Sequence, residues 1–395
     1  LSRVRSHLPG PEAWFLRIPL VDVCATSGLP ASHTIKVAGE PRRVSSVTKA
    51  KRDIYDGARG RLKELLLSGN REFPPDPDKM TQGREGEWLA VIHADGNGLG
   101  QVFLDFKKKV GDHCTNRDYI DTLRNFSIAL DRCTVAACRT ALDGISPEKW
   151  VVNGNTRSVV PVLPLVLGGD DLTVICRGKH ALRFVTAYLK AFSENTKSCQ
   201  EIRRILPDGI SSCAGVAVVK PHFPFSTAYD LAESLLKSAK VVKKRYSGQS
   251  MPPSAFDFYV LYDSSFIDFE YIREQLEVDG RGTRLYGGPY LVDEQSDDWG
   301  KWRNWSALSR KLEALQKIDQ EGRPLIPRGQ LHALREKLFL GRNSADAAYG
   351  LIKHRYPGMV ELEGEPGSLF WSEGEDGKRV SVCNLIDVIE AAQFM

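Results

Sequence analysis

LVLGGDDLTVIC, Leu165 to Cys176, is the stretch on which the reading of this chain turns. Apolar runs, VVPVLPLVL and LTVIC, flank Gly168, Gly169, Asp170 and Asp171 and read as two strands. Gly-Gly and Gly-Asp are tight-hairpin dipeptides, because glycine accepts a positive φ. Two adjacent carboxylates at such a tip need a reason. At about 4 Å a like-charge pair repels by roughly 4 kcal/mol at an effective dielectric of 20. A cluster of this kind either shares protons or binds cations. A turn with solvated aspartates is the plain alternative.

Working outward, EWLAVIHAD (Glu87–Asp95) is a strand, apolar until its last residue. Residues 116–142 form a helix with Ile120, Leu123, Phe126, Leu130, Ala137 and Ala141 on one face. A second helix covers 180–196, and SSCAGVAVV (Ser211–Val219) is a strand. Residues 226–246 form a helix capped by Ser226 or Thr227, and SAFDFYVLY (Ser254–Tyr262) is a last strand. The order β-α-β-β-α-β, then helix and strand, predicts an α+β fold built on a ferredoxin-like split βαβ sheet. In such a sheet the first and third strands are central neighbours. Asp95, at the end of the first, then meets Asp170 and Asp171.

Three converging carboxylates suit Mg²⁺ or Mn²⁺. A pair of such ions is the standard device for in-line attack on a phosphate. DGNGLG (Asp95–Gly100) fits the same chemistry, since N–H groups of a Gly-rich turn cradle phosphates. Its spacing is G-x-G-x-G, not the dinucleotide G-x-G-x-x-G, and an Asp leads it. An acid facing a pyrophosphate needs a cation between them, which favours a metal-bound nucleotide over NAD. Lys237, Lys240 and Lys244 fall on one side of the 226–246 helix and offer a basic stripe to a triphosphate. His93 shares strand parity with Asp95 and reads as a structural histidine.

The rest of the chain sets bounds. Its 395 residues suggest two or three domains, and 42% hydrophobic with 26% charged residues is globular composition. The balance of 54 Lys+Arg against 50 Asp+Glu is too mild to argue for nucleic acid alone. Eight cysteines without a C-x-x-C pair match no zinc site and read as reduced, mostly buried thiols, which predicts a cytoplasmic protein. No apolar run nears the ~18 residues of a membrane span, so no membrane partner is expected. LSRVRSHLPG at the start lacks the apolar core of a secretory signal.

Residues 1–85 read as an irregular segment, one basic amphipathic helix over 44–70, and a Pro-rich linker over 74–87. The split βαβ domain spans 86–262. Periodic patterns at 304–318, 328–340 and 344–355 make 263–395 a mainly helical C-terminal domain. WGKWRNW (Trp299–Trp305) has helix-core spacing, with base stacking as the alternative.

A strand ending in DGN-x-L-G, the GGDD hairpin, SSCAGVAVVKPHFPFSTAYDLAESLLKSAK (Ser211–Lys240) and FDFYVL (Phe256–Leu261) occur in one order. Over about residues 86–262 this order resembles the polymerase-like large subunit of type III CRISPR effector complexes. That family is related to GGDEF diguanylate cyclases and class III adenylyl cyclases. The resemblance implies a nucleotidyl-cyclase palm that takes ATP, or another nucleoside triphosphate, with two Mg²⁺ or Mn²⁺ ions. The implied products are cyclic oligoadenylates, second messengers of antiviral defence. Carried over by motif, Asp95, Asp170 and Asp171 are catalytic metal ligands, joined by the Gly96 carbonyl. Gly96, Asn97, Gly98, Gly168 and Gly169 shape the nucleotide site, and Lys240 and Lys244 bind phosphate.

This sequence departs from the family pattern. Asn97 stands where many relatives carry a second acid. The nuclease His-Asp pair and the four-cysteine zinc insertion are absent, and Cys24 lacks partners. One GGDD palm is recognised, so a second nucleotide requires a partner palm, upstream of Leu1 or in a second copy of the chain. RNA and other effector subunits are implied partners. The rival reading is an RNA-binding scaffold subunit with a vestigial palm. A template-directed polymerase shares the metal chemistry.

Overall fold

The structure is a computed structural model and describes residues 21–37, 39–81, 87–111, 114–152, 154–262, 268–280, 282–375 and 378–394. Residues 1–20 of the expected irregular segment and 82–86 of the expected linker lie outside these. The chain forms two compact units, divided after Leu66.

In the first unit a hairpin pairs His33–Val37 with Glu40–Val44, where the sequence suggested irregular chain. The single basic helix read over 44–70 is two helices, Ser46–Asp53 and Tyr55–Leu66, meeting at Ile54. The first starts sharply because the Ser45 hydroxyl accepts from the Thr48 N–H. Gly57 and Gly60 in the second lower its intrinsic propensity.

The second unit is organised by a six-stranded sheet: β1 (Leu89–Gly96), β2 (Val162–Gly168), β3 (Asp171–Arg177), β4 (Ser212–Val219), β5 (Ala255–Val260) and β6 (Tyr290–Leu291). Their order across the sheet is β6-β5-β4-β1-β3-β2. β1 is antiparallel to both β3 and β4, so it is central, as the split βαβ reading requires. β4 and β5 run parallel. Every residue of β4 is buried, which is why SSCAGVAVV has no polar alternation.

Three helices cover the sheet: α1 (Asn116–Asp143), α2 (Gly178–Ser198) and α3 (Phe225–Ala239). A capping box sets the start of α1: the Thr115 side chain accepts from the Asp118 N–H, and the Asp118 carboxylate accepts from the Thr115 N–H. Phe126, Leu130, Ala137 and Ala141 of the expected stripe are buried, whereas Ile120 stays exposed. α3 lies against β4 at Gly215. A Cβ there would sit 1.9 Å from the Ala232 carbonyl oxygen, so only glycine lets helix and strand approach this closely.

Beyond the palm, helices α4 (Trp305–Gln316), α5 (Arg328–Leu338), α6 (Arg342–Lys353) and α7 (Leu385–Ala391) form the helical C-terminal region. It also holds a small four-stranded sheet that includes the strands Trp371–Glu375 and Lys378–Val382. Trp299, Trp302 and Trp305 are packing residues: they meet Tyr246, Trp371 and Phe256 respectively. They do not share a helix face as the spacing of three suggested: only Trp305 lies in a helix, at the start of α4, and Trp299 and Trp302 sit in the turns before it. All eight cysteines are free thiols, six of them buried. Among the described residues no helix is long and apolar enough to cross a membrane.

Candidate active site

β1 ends where the β2–β3 hairpin turns. Ala94 pairs with Leu172 of β3, and Asp95 with Cys213 of β4. The hairpin closes on the pair Gly168–Asp171, leaving Gly169 and Asp170 as the turn. Gly169 has φ +60°, the conformation for which the dipeptide calls for glycine. Asp95, Asp170 and Asp171 each offer a carboxylate oxygen, and these three atoms lie within 4.8 Å of one another. The sequence-predicted triad is therefore together in space. Asp95 and Asp170 are half-buried and Asp171 is exposed.

Gly96 completes the cradle. Its N–H donates to Asp170 Oδ2 at 3.2 Å. A Cβ on Gly96 would stand 2.9 Å from Asp170 Cβ and Oδ2, so a larger residue would displace the carboxylate. Burial raises the Asp170 carboxyl above the usual carboxylate range. Burial raises Asp171 too, and the neighbouring Asp170 charge adds to it. Both groups hold their protons more tightly than free carboxylates.

One cation does reach the cluster. Lys240 forms an ion pair with Asp95. The helical run read over 226–246 is interrupted there: α3 stops at Ala239 and a short helix resumes over Val241–Arg245. The three lysines do not make one stripe. Lys237 pairs with Glu233 at 2.8 Å, Lys240 with Asp95, and Lys244 is exposed on the short helix. Burial lowers the Lys240 ammonium from its ordinary value, with the Lys243 charge adding to it.

The glycine turn is partly committed to the protein itself. The Gly96 amide bonds to Asp170 and the Asn97 amide to the Ser211 carbonyl at 2.8 Å, so neither is offered to a phosphate. The Asn97 side chain donates to Ser211 Oγ at 2.9 Å. Asn97 thus ties the end of β1 to the start of β4. Gly98, with φ +82°, opens the short helix Leu99–Leu104. Gly168 is the last ladder residue of β2. His93 sits between Thr173 (3.1 Å) and the Tyr229 hydroxyl (3.4 Å), under α3, in a structural setting.

Two side chains at the hairpin were not read from the sequence. Asp131 Oδ1 accepts from the Gly169 N–H at 3.3 Å, and Thr134 Oγ1 donates to the Gly169 carbonyl. Their signal is a pair of polar residues at i and i+3, with Thr134 set among the apolar residues that α1 buries.

The donor chemistry fits a divalent ion: three carboxylate oxygens at one point, with a glycine where bulk would push one aside. Residues 88–247 match the family described as Cas10/Cmr2, second palm domain. No curated protein matches the chain. Among solved structures, Csm1 of the Csm1–Csm4 cassette with pppApA is 11% identical with a TM-score of 0.37, covering 75% of this chain and 34% of that one. Csm1 from T. onnurineus is 13% identical with a TM-score of 0.35, over 75% and 36%. The GGDEF domain of DgcB from Caulobacter crescentus with c-di-GMP is 13% identical with a TM-score of 0.24, over 47% and 94%. The chain spans about a third of the length of these two Csm1 chains. Over residues 88–247 it carries the second-palm pattern of Cas10/Cmr2, the polymerase-like large subunit that its motifs resemble.

Proposed function

We propose that this palm is a metal-dependent nucleotidyltransferase that joins ATP into cyclic oligonucleotide second messengers, in defence of the type III CRISPR kind. The observation that carries the reading is the convergence of Asp95, Asp170 and Asp171 on one point. The Cas10/Cmr2 second-palm match supports it. The reaction is attack of a ribose hydroxyl on an α-phosphate. A new O–P bond forms, the bond to pyrophosphate breaks, and the hydroxyl proton leaves to solvent or a nearby base. Mg²⁺ or Mn²⁺, when bound, supplies positive charge to the phosphate and lowers the pKa of the attacking hydroxyl. Asp95, Asp170 and Asp171 would hold it, with the Gly96 carbonyl as a further donor. Lys240 would exchange Asp95 for a phosphate oxygen, and Lys244, exposed on the short helix that follows, would be a second phosphate contact. Gly96 keeps Asp170 close, and Asn97 holds the two strand ends in register through Ser211.

A palm with one GGDD motif needs a second nucleotide site. A partner palm, in a longer chain or a second copy, and other effector subunits are the proposed partners, with RNA as the proposed signal. The test incubates the protein with each labelled nucleoside triphosphate and Mg²⁺ or Mn²⁺, with and without RNA, and identifies products by mass spectrometry. The expected product is cyclic. The double variant Asp170→Ala/Asp171→Ala loses turnover by at least 10³-fold while remaining folded. Retained turnover in that variant refutes the reading. Linear template-copied product points to a polymerase. Salt-dependent RNA binding without turnover points to the scaffold.

A further inference from the structure

The metal reading of the triad leaves open what aims Asp170 and Asp171. The turn has only two residues, and the peptide linking them, Gly169 to Asp170, is outside the strand ladder. Gly169 has a positive φ and Asp170 does not. That is the II′ pattern; a I′ turn needs positive φ at both positions. The two turns differ by a rotation of roughly 150° of this one peptide. The rotation would swing φ of Asp170 through a similar angle, and its carboxylate with it. Gly169 lets both turns form at little steric cost. The I′ alternative would put Asp170 itself at positive φ, so the sequence leans toward II′ by only about 1–2 kcal/mol.

α1 holds that turn in place. The Thr134 hydroxyl donates to the Gly169 carbonyl, the oxygen that moves when the peptide turns over. Thr134 is fully buried, and its hydroxyl also lies 3.1 Å from the Leu130 carbonyl within α1 and beside the Tyr188 side chain. Asp131, one turn earlier, accepts from the Gly169 N–H. One residue of the hairpin is therefore held at both its donor and its acceptor by one helix. We propose that Thr134 and Asp131 are positioning residues: Thr134 locks the Gly169–Asp170 peptide, Asp131 locks the Gly168–Gly169 peptide before it, and together they aim the hairpin carboxylates at Asp95. The proposal rests on the metal reading of the triad. Neither residue touches the reacting atoms. Their effect is that of groups behind metal ligands, whose loss typically weakens metal binding by about 10–100-fold.

Mn²⁺ binding to the full chain, followed by the EPR signal of free Mn²⁺, tests this without requiring turnover. Thr134→Val keeps the shape and removes the donor. It is expected to weaken Mn²⁺ binding about 10-fold or more, and Thr134→Ser, which restores the hydroxyl, to bind within about twofold of wild type. Asp131 is exposed, so its variants are safe for folding. Asp131→Asn keeps the Oδ1 acceptor and should bind Mn²⁺ like wild type, whereas Asp131→Ala should bind more weakly. Equal binding by Thr134→Val and wild type overturns the clamp while leaving the metal reading standing. Equal loss in Asp131→Asn and Asp131→Ala reduces Asp131 to a charge effect and overturns its role. A wild-type chain that does not bind Mn²⁺ removes the metal reading and the clamp with it.

Discussion

Asp257 and Asp170 belong to the same sheet, and their surroundings are opposites. Asp257, on β5, is 1% exposed and its carboxylate is fully engaged. It accepts from the Ser238 hydroxyl at 2.6 Å, the Phe258 N–H at 2.9 Å and the Arg273 guanidinium at 2.7 and 2.8 Å. Nearby, Arg303 forks onto Glu373 at 2.9 and 3.0 Å, both buried, and Asp387 accepts from the Gly287 N–H at 2.7 Å. Asp170 accepts one long bond from Gly96 and otherwise faces two more acids. Acids matched to cations hold an architecture together. Acids gathered on each other, with one lysine among three, are what the proposed metal site calls for.

This contrast makes opposite predictions for the same kind of mutation. Asp257→Ala leaves the buried Arg273 charge without its partner, and breaking a buried pair from one side costs about 3–5 kcal/mol. Denaturant unfolding should show that loss whether or not divalent metal is present. A cost no larger than that of Asp170→Ala would dissolve the contrast.

Glu390 tests the network by pH. Burial, with Asp387 adding its charge, pushes this carboxyl up to about 8. The unfolded chain ionises Glu390 near its ordinary value, while the folded chain keeps the proton until about pH 8. Between those values the folded state binds more protons, so the stability due to Glu390 is full below the lower value and falls as pH rises toward 8. Glu390→Gln should flatten the decline in Tm across that window. A decline identical in the variant would show that Glu390 does not titrate as its burial demands.

Much of this was legible before any coordinates, for definite reasons. β1 announces itself by an apolar run stopped by Asp95, β3 by one that starts after Asp171, and the hairpin by its glycines. Once strand order is set, Asp95 must meet Asp170 and Asp171. What escaped reading depends on contacts between distant segments. The break at Lys240 has no glycine or proline to mark it; the side chain leaves the helical row to pair with Asp95. The hairpin at 33–44 alternates apolar residues only at Ile35 and Val37, and its second strand, EPRRV, is polar or proline until Val44. The strands at 371–382 pair locally but bury Trp371 against Trp302, a partner far off in sequence. Thr134 and Asp131 are ordinary helix residues until the hairpin is laid beside them.

The smallest effect is the most pointed, because it changes sign. Asp171 is exposed, so the Asp170 charge about 4–5 Å away costs it only about 1 kcal/mol in a water-like dielectric. Asp171→Asn removes that repulsion. In metal-free buffer the variant should melt slightly higher than wild type, by about 1–2 °C for a chain of this size. The raised carboxyl values of Asp170 and Asp171 give the pH sign: their contribution to stability is full in acid and falls as pH rises through their folded values. The gain in the variant should therefore shrink as the buffer is acidified. Saturating Mg²⁺ or Mn²⁺ reverses the order, since an ion bound only by the folded triad stabilises wild type by mass action, and the variant has lost a ligand. Asp257→Ala shows no such reversal. If Asp171→Asn also destabilises without metal, the triad is held by partners as Asp257 is, and the two regions no longer differ in kind.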